Sequence, residues 1–436
     1  MLLENMHGVI GRVDYTLTDA DIDMWARQCI LAVENETFDF STKVKEVFTQ
    51  SGKRRVIYHY PKLSVENFIC HYLKKRLDKV FKIEYASRSK IINLLFNTMP
   101  ALKNMNDFVI IRADFKSFFD SVLSRFVYEE YLLPSLLPRG DKDILEKYID
   151  ECKYCYAGLC LSNGMTEIVC RDFDKKLKAK LTSYGVFFYE RYVDDMLIML
   201  NSYVSQDEII DIINTTISET FGTCPVSLST SPGKFSYISR RGLLAFQKFN
   251  FLGYEFFINE FNRNISFQYG ITEKKRSRYS NIIERAFAQY AVNHDEELLR
   301  QRIKIFSSRV VIARQLMGTS FDWLTKGVIA NYNELRNYTS YLHRDTKEFL
   351  ENLYYILLRK YHLKRPYFIP KKCSEESMYN LFSNMKRNRA LLFEENIGIP
   401  KEVLLDWILK IDASYSSRGK DYYRIVIDYL EKIKIE

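Results

Sequence analysis

The stretch Phe187–Leu200, FFYERYVDDMLIML, sets two adjacent carboxylates, Asp194 and Asp195, inside an apolar and aromatic run. Apolar residues lead into the pair, and Met196–Leu200 lead out of it without a charge. This pattern predicts a buried β-hairpin with the aspartates at its tip. Two neighbouring buried anions repel each other and lose hydration, so they need compensation. A divalent metal is the compensation we favour, because hard oxygen ligands suit Mg²⁺; the alternative for a lone aspartate pair is a solvated turn.

A second apolar stretch, Ile110–Asp120 (IIRADFKSFFD), delivers another carboxylate, Asp114, at the end of a predicted strand. Three aspartates would suffice for a two-metal site that transfers a nucleotide to a 3′ hydroxyl. One metal lowers the pKa of the attacking hydroxyl, and the other neutralises the leaving pyrophosphate. The sequence therefore predicts Asp114, Asp194 and Asp195 as catalytic metal ligands, with Mg²⁺ as the cofactor and Mn²⁺ as the alternative metal.

These two stretches resemble motifs A and C of reverse transcriptases, through Asp114-x-x-x-Phe118-Phe119-Asp120 and Tyr192-Val193-Asp194-Asp195. The resemblance implies an α+β fold of the right-hand polymerase type. Its fingers and palm, an antiparallel sheet with helices, would occupy residues 1–270. An α-helical thumb would follow at 271–330, and a helical-repeat-like C-terminal domain at 331–436.

Two upstream segments resemble the fingers motifs of the same family. In Lys53–Pro61 a basic cluster precedes a short strand and a proline, and the resemblance implies that Arg55, or else Lys53, grips the incoming triphosphate. The planar fork of arginine suits that role. Tyr85–Lys90 resembles the next segment, in which Arg88 would approach the template or nucleotide. The alternative for Lys53–Pro61 is a surface hairpin turn, and the alternative for Tyr85–Lys90 is a solvated helix start.

Motif B begins Gly-Leu-Pro-Gln-Gly in most templated relatives, and the matching stretch here is Gly158–Ile168. The Gly-Leu start remains, but Cys160, Leu161 and Ser162 replace Pro-Gln-Gly, and a helix is predicted from about Thr166 to Leu177. Ser162 takes a predicted nucleotide-binding position. In the family this loop supports the template base. The altered loop resembles that of the bacterial abortive-infection and other phage-defence reverse transcriptases, some of which synthesise DNA without a template from a protein hydroxyl.

Two later segments resemble motifs D and E. Ser229–Lys234 presents Lys234, the candidate general acid near the pyrophosphate; a solvated turn lysine is the alternative. Phe249–Phe256 resembles the primer grip, and its alternative is a plain strand with a bulge at Gly253.

Sugar selection is predicted at Phe119, five residues after Asp114, where the family carries an aromatic beneath the sugar. A phenyl ring there would exclude a 2′-hydroxyl, so the resemblance implies deoxynucleotide substrates. Of Phe118 and Phe119, Phe118 is the one expected to fill the core. Phe115 is also predicted to bind nucleotide.

Composition agrees with these expectations. A chain of 436 residues with 47% hydrophobic residues can bury cores in two or three domains, and a net charge of +9 suits a phosphate-bearing partner. We find no apolar run long enough to span a membrane and no signal-peptide pattern, which predicts a cytoplasmic protein with no membrane partner. Its eight cysteines are then expected to be reduced; Cys152-x-x-Cys155 near Cys160 leaves structural zinc as a minor alternative.

From Ile271 onward the pattern turns helical and basic. Two groups of basic residues follow. The first, predicted to bind nucleic acid, is Lys274, Lys275, Arg276 and Arg278. The second is Arg300, Arg302, Lys304, Arg309 and Arg314, with Ile303, Phe306, Val310, Val311 and Ile312 as apolar partners; this group suggests a thumb helix along a duplex backbone, and the alternative is an amphipathic helix with a solvated basic face. Further helices are predicted at 332–361, 379–392, 401–411 and 421–434.

Three functions remain open at this point. The first is a reverse-transcriptase-like DNA polymerase of bacterial antiphage defence that uses dNTPs, yields DNA and is primed on protein without a template. The second is conventional cDNA synthesis from a partner non-coding RNA, as in retron or group II intron relatives. The third is a non-catalytic nucleic-acid-binding scaffold, against which the three intact aspartates argue. Assembly into a homo-oligomer is left open.

Overall fold

The computed structural model describes residues 3–13, 17–50, 53–243, 246–261, 264–315 and 321–434. Its contacts divide the chain into two compact units, Met1–Leu243 and Leu244–Glu436. Both units combine helices with antiparallel strand pairs, so the fold class is α+β. The division into fingers, palm and thumb, with limits at 270 and 330, stays a prediction.

The first unit carries a four-stranded antiparallel sheet, a separate two-stranded hairpin and the helices that cover them. Its elements are α1 (Leu3–Val13), α2 (Asp19–Glu34), β1 (Val44–Gln50), β2 (Lys53–His59), α3 (Val65–Val80), α4 (Arg88–Thr98), β3 (Val109–Asp114), α5 (Ser124–Val127), α6 (Arg139–Glu151), α7 (Cys160–Leu181), β4 (Val186–Tyr192), β5 (Asp195–Leu200), α8 (Gln206–Phe221) and β6 (Ser236–Ser239).

The sheet has the strand order β4-β5-β3-β6, which places β3 between two partners. All six residues of β3 are buried, as expected for an apolar strand paired at both edges. The predicted hairpin is confirmed: Tyr192 pairs with Asp195, and Val193 and Asp194 form the turn between β4 and β5. The predicted strand that ends at Asp114 is confirmed as well.

Helix α7 starts at Cys160, earlier than the predicted start near Thr166. The cause lies in the altered loop, because Cys160, Leu161 and Ser162 contain neither proline nor glycine and so allow the helix to begin there. The side of α7 that faces the core packs against α3 and α8. It contributes Phe173 to an aromatic cluster with Phe115 and Phe221.

The second unit contains a three-stranded antiparallel sheet, β7-β8-β9, and a second sheet in the order β11-β10-β12. Its elements are β7 (Phe246–Phe251), β8 (Tyr254–Phe261), β9 (Asn264–Ile271), α9 (Glu273–Asn293), α10 (Glu296–Phe306), β10 (Arg309–Gln315), β11 (Phe321–Lys326), α11 (Val328–Asn331), α12 (Arg344–Lys360), α13 (Leu381–Arg387), β12 (Ala390–Phe393), α14 (Lys401–Ile411) and α15 (Tyr422–Lys432).

The expectation of an entirely helical region after residue 271 is wrong at β10, β11 and β12. The β-branched run Val310–Ile312 favours a strand and is not the apolar face of a helix. β12 pairs in parallel with β10, a partner far away in sequence. The predicted helix 401–411 is confirmed as α14.

The alternative of one strand with a bulge at Gly253 is also wrong. Phe251 pairs with Tyr254, so β7 and β8 form a hairpin closed by Leu252 and Gly253. Both turn residues have positive φ, +48° and +85°, as tight hairpin turns require.

Candidate functional site

The three predicted aspartates come together at one end of the first unit's sheet. Asp114 and Asp195 are directly opposite partners in the antiparallel pair of β3 and β5. The backbone N–H of Phe115 donates a hydrogen bond of 3.2 Å to the carbonyl of Asp194, which fixes the hairpin turn beside the end of β3. Two segments far apart in sequence therefore build one carboxylate cluster.

Two cations of the same unit compensate this cluster. The ammonium of Lys234 bonds Oδ2 of Asp114, and the guanidinium of Arg112 donates through Nε to Oδ1 of Asp195 at 2.9 Å. Nη2 of Arg112 lies 3.7 Å from Oδ2 of Asp114. Sequence reasoning predicted Lys234 but missed Arg112. The available signal was an arginine inside an apolar strand, which must find an anionic partner when the strand is buried.

Two of the aspartates, Asp194 and Asp195, have pKa values raised above the usual range. Burial raises the pKa of Asp195 to about 6, against the opposing effect of Arg112. Burial, followed by the nearby charge of Asp114, raises the pKa of Asp194. A cation that entered the cluster would reverse both effects by stabilising the charged forms.

Arg191 braces the hairpin turn and was also missed by sequence reasoning. Its guanidinium pairs with Glu167 and Asp174 of α7, at 2.8 and 2.9 Å, and donates a 3.0 Å hydrogen bond to the carbonyl of Val193. Val193 has φ +61°, a left-handed conformation that is costly for a β-branched residue. The Arg191 network holds this strained turn against α7.

The donor set fits a hard divalent cation in its chemistry, because Asp194 and Asp195 of the hairpin and Asp114 at the end of β3 place three carboxylates at one end of the sheet. In their present positions, however, no group of three His, Cys, Asp or Glu side chains among the described residues is arranged to hold a metal. Lys234 and Arg112 occupy carboxylate oxygens of Asp114 and Asp195. A metal would therefore have to displace Lys234 from Asp114.

A cavity of about 190 Å³ lies beside the hairpin turn. Its wall includes Tyr192 and Val193 of the turn, Phe118, and Thr166 and Glu167 of α7. The cavity thus joins Phe118, the first half of α7 and the aspartate turn in one recess.

The loop that precedes α7 is docked on β2. Tyr58 donates its backbone N–H to the carbonyl of Ala157 at 2.8 Å. Gly158 has φ +99°, and a Cβ atom there would come within 2.5 Å of the Tyr58 carbonyl oxygen. Glycine is required at this position both by its φ and by the close approach of the two backbones.

The predicted nucleotide-binding residues of the palm differ in exposure. Phe119 is half-buried and contacts Phe118 edge to face, with ring centroids 5.7 Å apart. Phe115 and Ser162 lie in the core, with 1% and 0% of their surface exposed. Direct contact between either of these two side chains and a nucleotide would require the core to open.

The predicted fingers residues lie elsewhere in the first unit. Arg55 is exposed on β2, opposite Phe48, and Lys53 begins that strand. Arg88 is the first residue of α4, whose N-cap is Ser87. Neither arginine takes part in the contacts of the aspartate cluster described above.

The predicted basic residues of the second unit fall into two groups. Lys274 and Arg278 are exposed on α9 and Lys275 is half-buried, whereas Arg276 pairs with Glu255 at 2.8 Å and is mostly buried. The expectation of a basic thumb-helix face is wrong for Arg302 and Lys304, which are buried inside this unit. The side chain of Arg314 lies outside the described residues.

The cysteines are free thiols, and most are buried. Cys152, Cys155 and Cys160 belong to no metal-binding group within the described ranges. No helix in the part of the chain that the structure describes has the length and apolar character needed to cross a membrane.

No family model and no curated protein matches the sequence. Among solved structures, the chain is similar to apo telomerase from Candida tropicalis truncated from its C-terminal domain, with a TM-score of 0.35 and 13% sequence identity. The match covers 56% of this chain and spans 60% of the telomerase chain. The likeness is thus a distant structural match to a telomerase.

Proposed function

We propose that this chain is a reverse-transcriptase-like DNA polymerase of bacterial antiphage defence that adds dNTPs by two-metal phosphoryl transfer. The observation that carries the proposal is the meeting of Asp114, Asp194 and Asp195 at one end of the sheet, with Lys234 against Asp114. Arg112 and Lys234 bring two positive charges to three carboxylates, and the negative charge that remains supports a metal-dependent role.

In this proposal the three aspartates hold Mg²⁺, or Mn²⁺ in its place. The bound metal would activate the attacking hydroxyl and neutralise the leaving pyrophosphate. Lys234, which is 41% exposed, can leave Asp114 and protonate the pyrophosphate. Arg55 and Arg88 would contact the nucleotide from the fingers, and Phe119 would lie beneath the sugar.

The replacement of Pro-Gln-Gly by a continued helix supports synthesis that is untemplated and primed on a protein hydroxyl. Residues Cys160–Ser162 belong to α7, and Leu161 and Ser162 have no exposed surface. They therefore offer no open loop to support a template base. The second candidate, copying of a partner non-coding RNA, shares the same aspartates and is separated from the first by experiment.

The test is incorporation of labelled dNTPs by the purified chain with Mg²⁺ and no added template or primer. Asp194→Ala is the inactive variant. Asp150→Ala is its matched control, because it removes an exposed aspartate that pairs with Arg125 in the same unit. Each reaction is split between RNase pretreatment and protease digestion of the product.

We expect product from wild type and from Asp150→Ala, and none from Asp194→Ala. This product should enter the gel only after protease digestion, and RNase pretreatment should not change it. Product that disappears after RNase pretreatment would establish RNA-templated synthesis instead. If no product forms even with added RNA and primer, the polymerase proposal is wrong and the scaffold function takes its place.

A further inference from the structure

Arg112 contacts two carboxylates of the cluster and one backbone carbonyl beside it. Its Nε donates to Asp195 at 2.9 Å, its Nη2 lies 3.7 Å from Asp114, and its Nη1 donates to the carbonyl of Gly233. The side chain is 10% exposed, so these contacts are shielded from bulk water.

The strand geometry explains why the arginine stands at this position. Arg112 and Asp114 are two residues apart on β3, so their side chains share one face of the sheet. On the neighbouring β5, Asp195 is the direct partner of Asp114 and Leu197 that of Arg112. Two carboxylates directly opposite each other destabilise a strand pair, and the arginine reaches the second one diagonally.

The third contact links the cluster to the turn that carries Lys234. Gly233 has φ +79°, and the N–H of Lys234 donates to the carbonyl of Ser231 at 3.0 Å to close the turn. Because Arg112 holds the Gly233 carbonyl, it fixes the turn at the point from which Lys234 reaches Asp114.

We infer that Arg112 is a positioning residue that sets both Asp195 and the Ser231–Lys234 turn, and that its charge weakens cation binding by the aspartates. The inference rests on the proposed polymerase function. It predicts two effects of opposite sign when Arg112 is removed. Cation affinity rises because the cluster becomes more negative, whereas catalysis slows because Lys234 and Asp195 lose their anchor.

The experiment uses full-length Arg112→Met and Arg112→Lys. Arg241→Met is the matched control, since Arg241 also donates through Nε to an aspartate, Asp107, at 2.8 Å but is 63% exposed. Binding of Mn²⁺ alone is measured by electron paramagnetic resonance without nucleotide. The kcat and KM for dNTP incorporation are measured separately.

For Arg112→Met we expect Mn²⁺ to bind about threefold tighter or more, because a positive charge next to the carboxylates is gone. We expect its kcat to fall about tenfold or more with KM nearly unchanged, as misplacement of a catalytic group produces. Arg112→Lys should keep wild-type Mn²⁺ affinity and recover part of kcat, and Arg241→Met should match wild type in both.

Weaker or unchanged Mn²⁺ binding by Arg112→Met, or an unchanged kcat, would overturn the inference. If Arg112→Met does not fold, Arg112→Lys decides: a kcat equal to wild type would mean that the three contacts of the guanidinium do not position the site. If the wild type itself incorporates no nucleotide, the proposed function fails, while the Mn²⁺ comparison still tests the effect of the charge.

Discussion

The guanidinium of Arg191 donates a 3.0 Å hydrogen bond to the backbone carbonyl of Val193, the left-handed residue of the turn that carries Asp194. The same guanidinium is bound to Glu167 and Asp174 of helix α7. The conformation of the aspartate turn is therefore determined by a buried ion network as well as by the two strands that it joins.

Replacement of Arg191 by methionine should destabilise the first unit. Its side chain is 4% exposed, and its loss leaves the half-buried carboxylates of Glu167 and Asp174 without their cation. We expect the free energy of unfolding in urea to fall by about 3 kcal/mol or more. Arg241→Met, which breaks an exposed ion pair, should cost about 1 kcal/mol or less. Equal effects of the two variants would contradict this account of the turn.

The apo protein should lose stability as the pH rises through the range in which Asp195 ionises. Burial raises the pKa of Asp195 from 3.8 to about 6, so folding favours its protonated form. The stabilisation is complete below pH 4 and is lost as the pH rises through 6. In EDTA, Asp195→Asn should therefore gain stability relative to wild type between pH 4 and 7, by an amount on the order of 1–3 kcal/mol. Urea unfolding at several pH values measures this; a pH-independent difference would count against it.

Truncation of Phe119 should relax the choice of sugar if the proposed polymerase function is correct. The ring is half-buried beside Phe118, and alanine would open space for a 2′-hydroxyl. We expect the ratio of kcat/KM for ribonucleotides to that for deoxynucleotides to rise about tenfold or more. Phe126→Ala, which removes another half-buried phenylalanine of the same unit, should leave the ratio unchanged.

Gly158→Ala should detach the loop before α7 from β2. The glycine has φ +99°, and an added Cβ would lie 2.5 Å from the Tyr58 carbonyl oxygen. We expect a loss of about 2 kcal/mol or more in the free energy of unfolding. Gly140→Ala is the control, because Gly140 lies in helix α6 with open space around it, and alanine there should stabilise by up to about 1 kcal/mol. A tolerated Gly158→Ala would show that the loop is not held against β2.

Lys304 should make the second unit less stable at neutral than at alkaline pH. The side chain is buried, with its ammonium 3.5 Å from the ring centre of Trp407, and burial lowers the pKa of Lys304 to about 7. The unfolded chain keeps the proton up to about pH 10.5, so the cost of folding is largest below pH 7 and shrinks as the pH rises. The contact with Trp407 and the neighbours Glu297 and Asp406 offset part of that cost, whereas Arg300 and Lys410 add to it.

Lys304→Met should therefore raise the free energy of unfolding, by about 1 kcal/mol or more at pH 6.5 and by less at pH 9.5. Urea unfolding at the two pH values measures the difference. A gain that is equal at both values would mean that the lysine is charged in the folded protein throughout this range.

Much of the first unit follows from local sequence pattern. Apolar runs interrupted by charged residues predicted both the hairpin at Asp194 and the strand that ends at Asp114, and both are found. Side-chain alternation and turn chemistry act over a few residues, which is why a single sequence can reveal them. The predicted start of α7 near Thr166 was wrong because Cys160–Ser162, which contain neither proline nor glycine, already belong to the helix.

The structure of the second unit was predicted less well from its sequence. β12 pairs with β10, which lies far away in the sequence, and no local sequence pattern predicts such a pairing. The spacing of Arg302 and Lys304 in the sequence is typical of the polar face of a helix, yet both side chains are buried. Arg302 donates hydrogen bonds to the backbone carbonyls of Ile433 and Lys434, and the ammonium of Lys304 lies over the ring of Trp407. A charged residue in a helical sequence can therefore be judged exposed or buried only when the elements that pack against the helix are known.

By itself the sequence determined which residues could form the carboxylate cluster, because each aspartate ends or interrupts an apolar segment of definite type. Tertiary structure decided that Asp114 lies opposite Asp195, and that Arg112 and Lys234 are the cations that compensate them. The physical reason is that strand register and ion pairing depend on contacts between residues distant in the chain. Only the folded sheet brings those residues within the few ångströms over which charges in a buried site interact strongly.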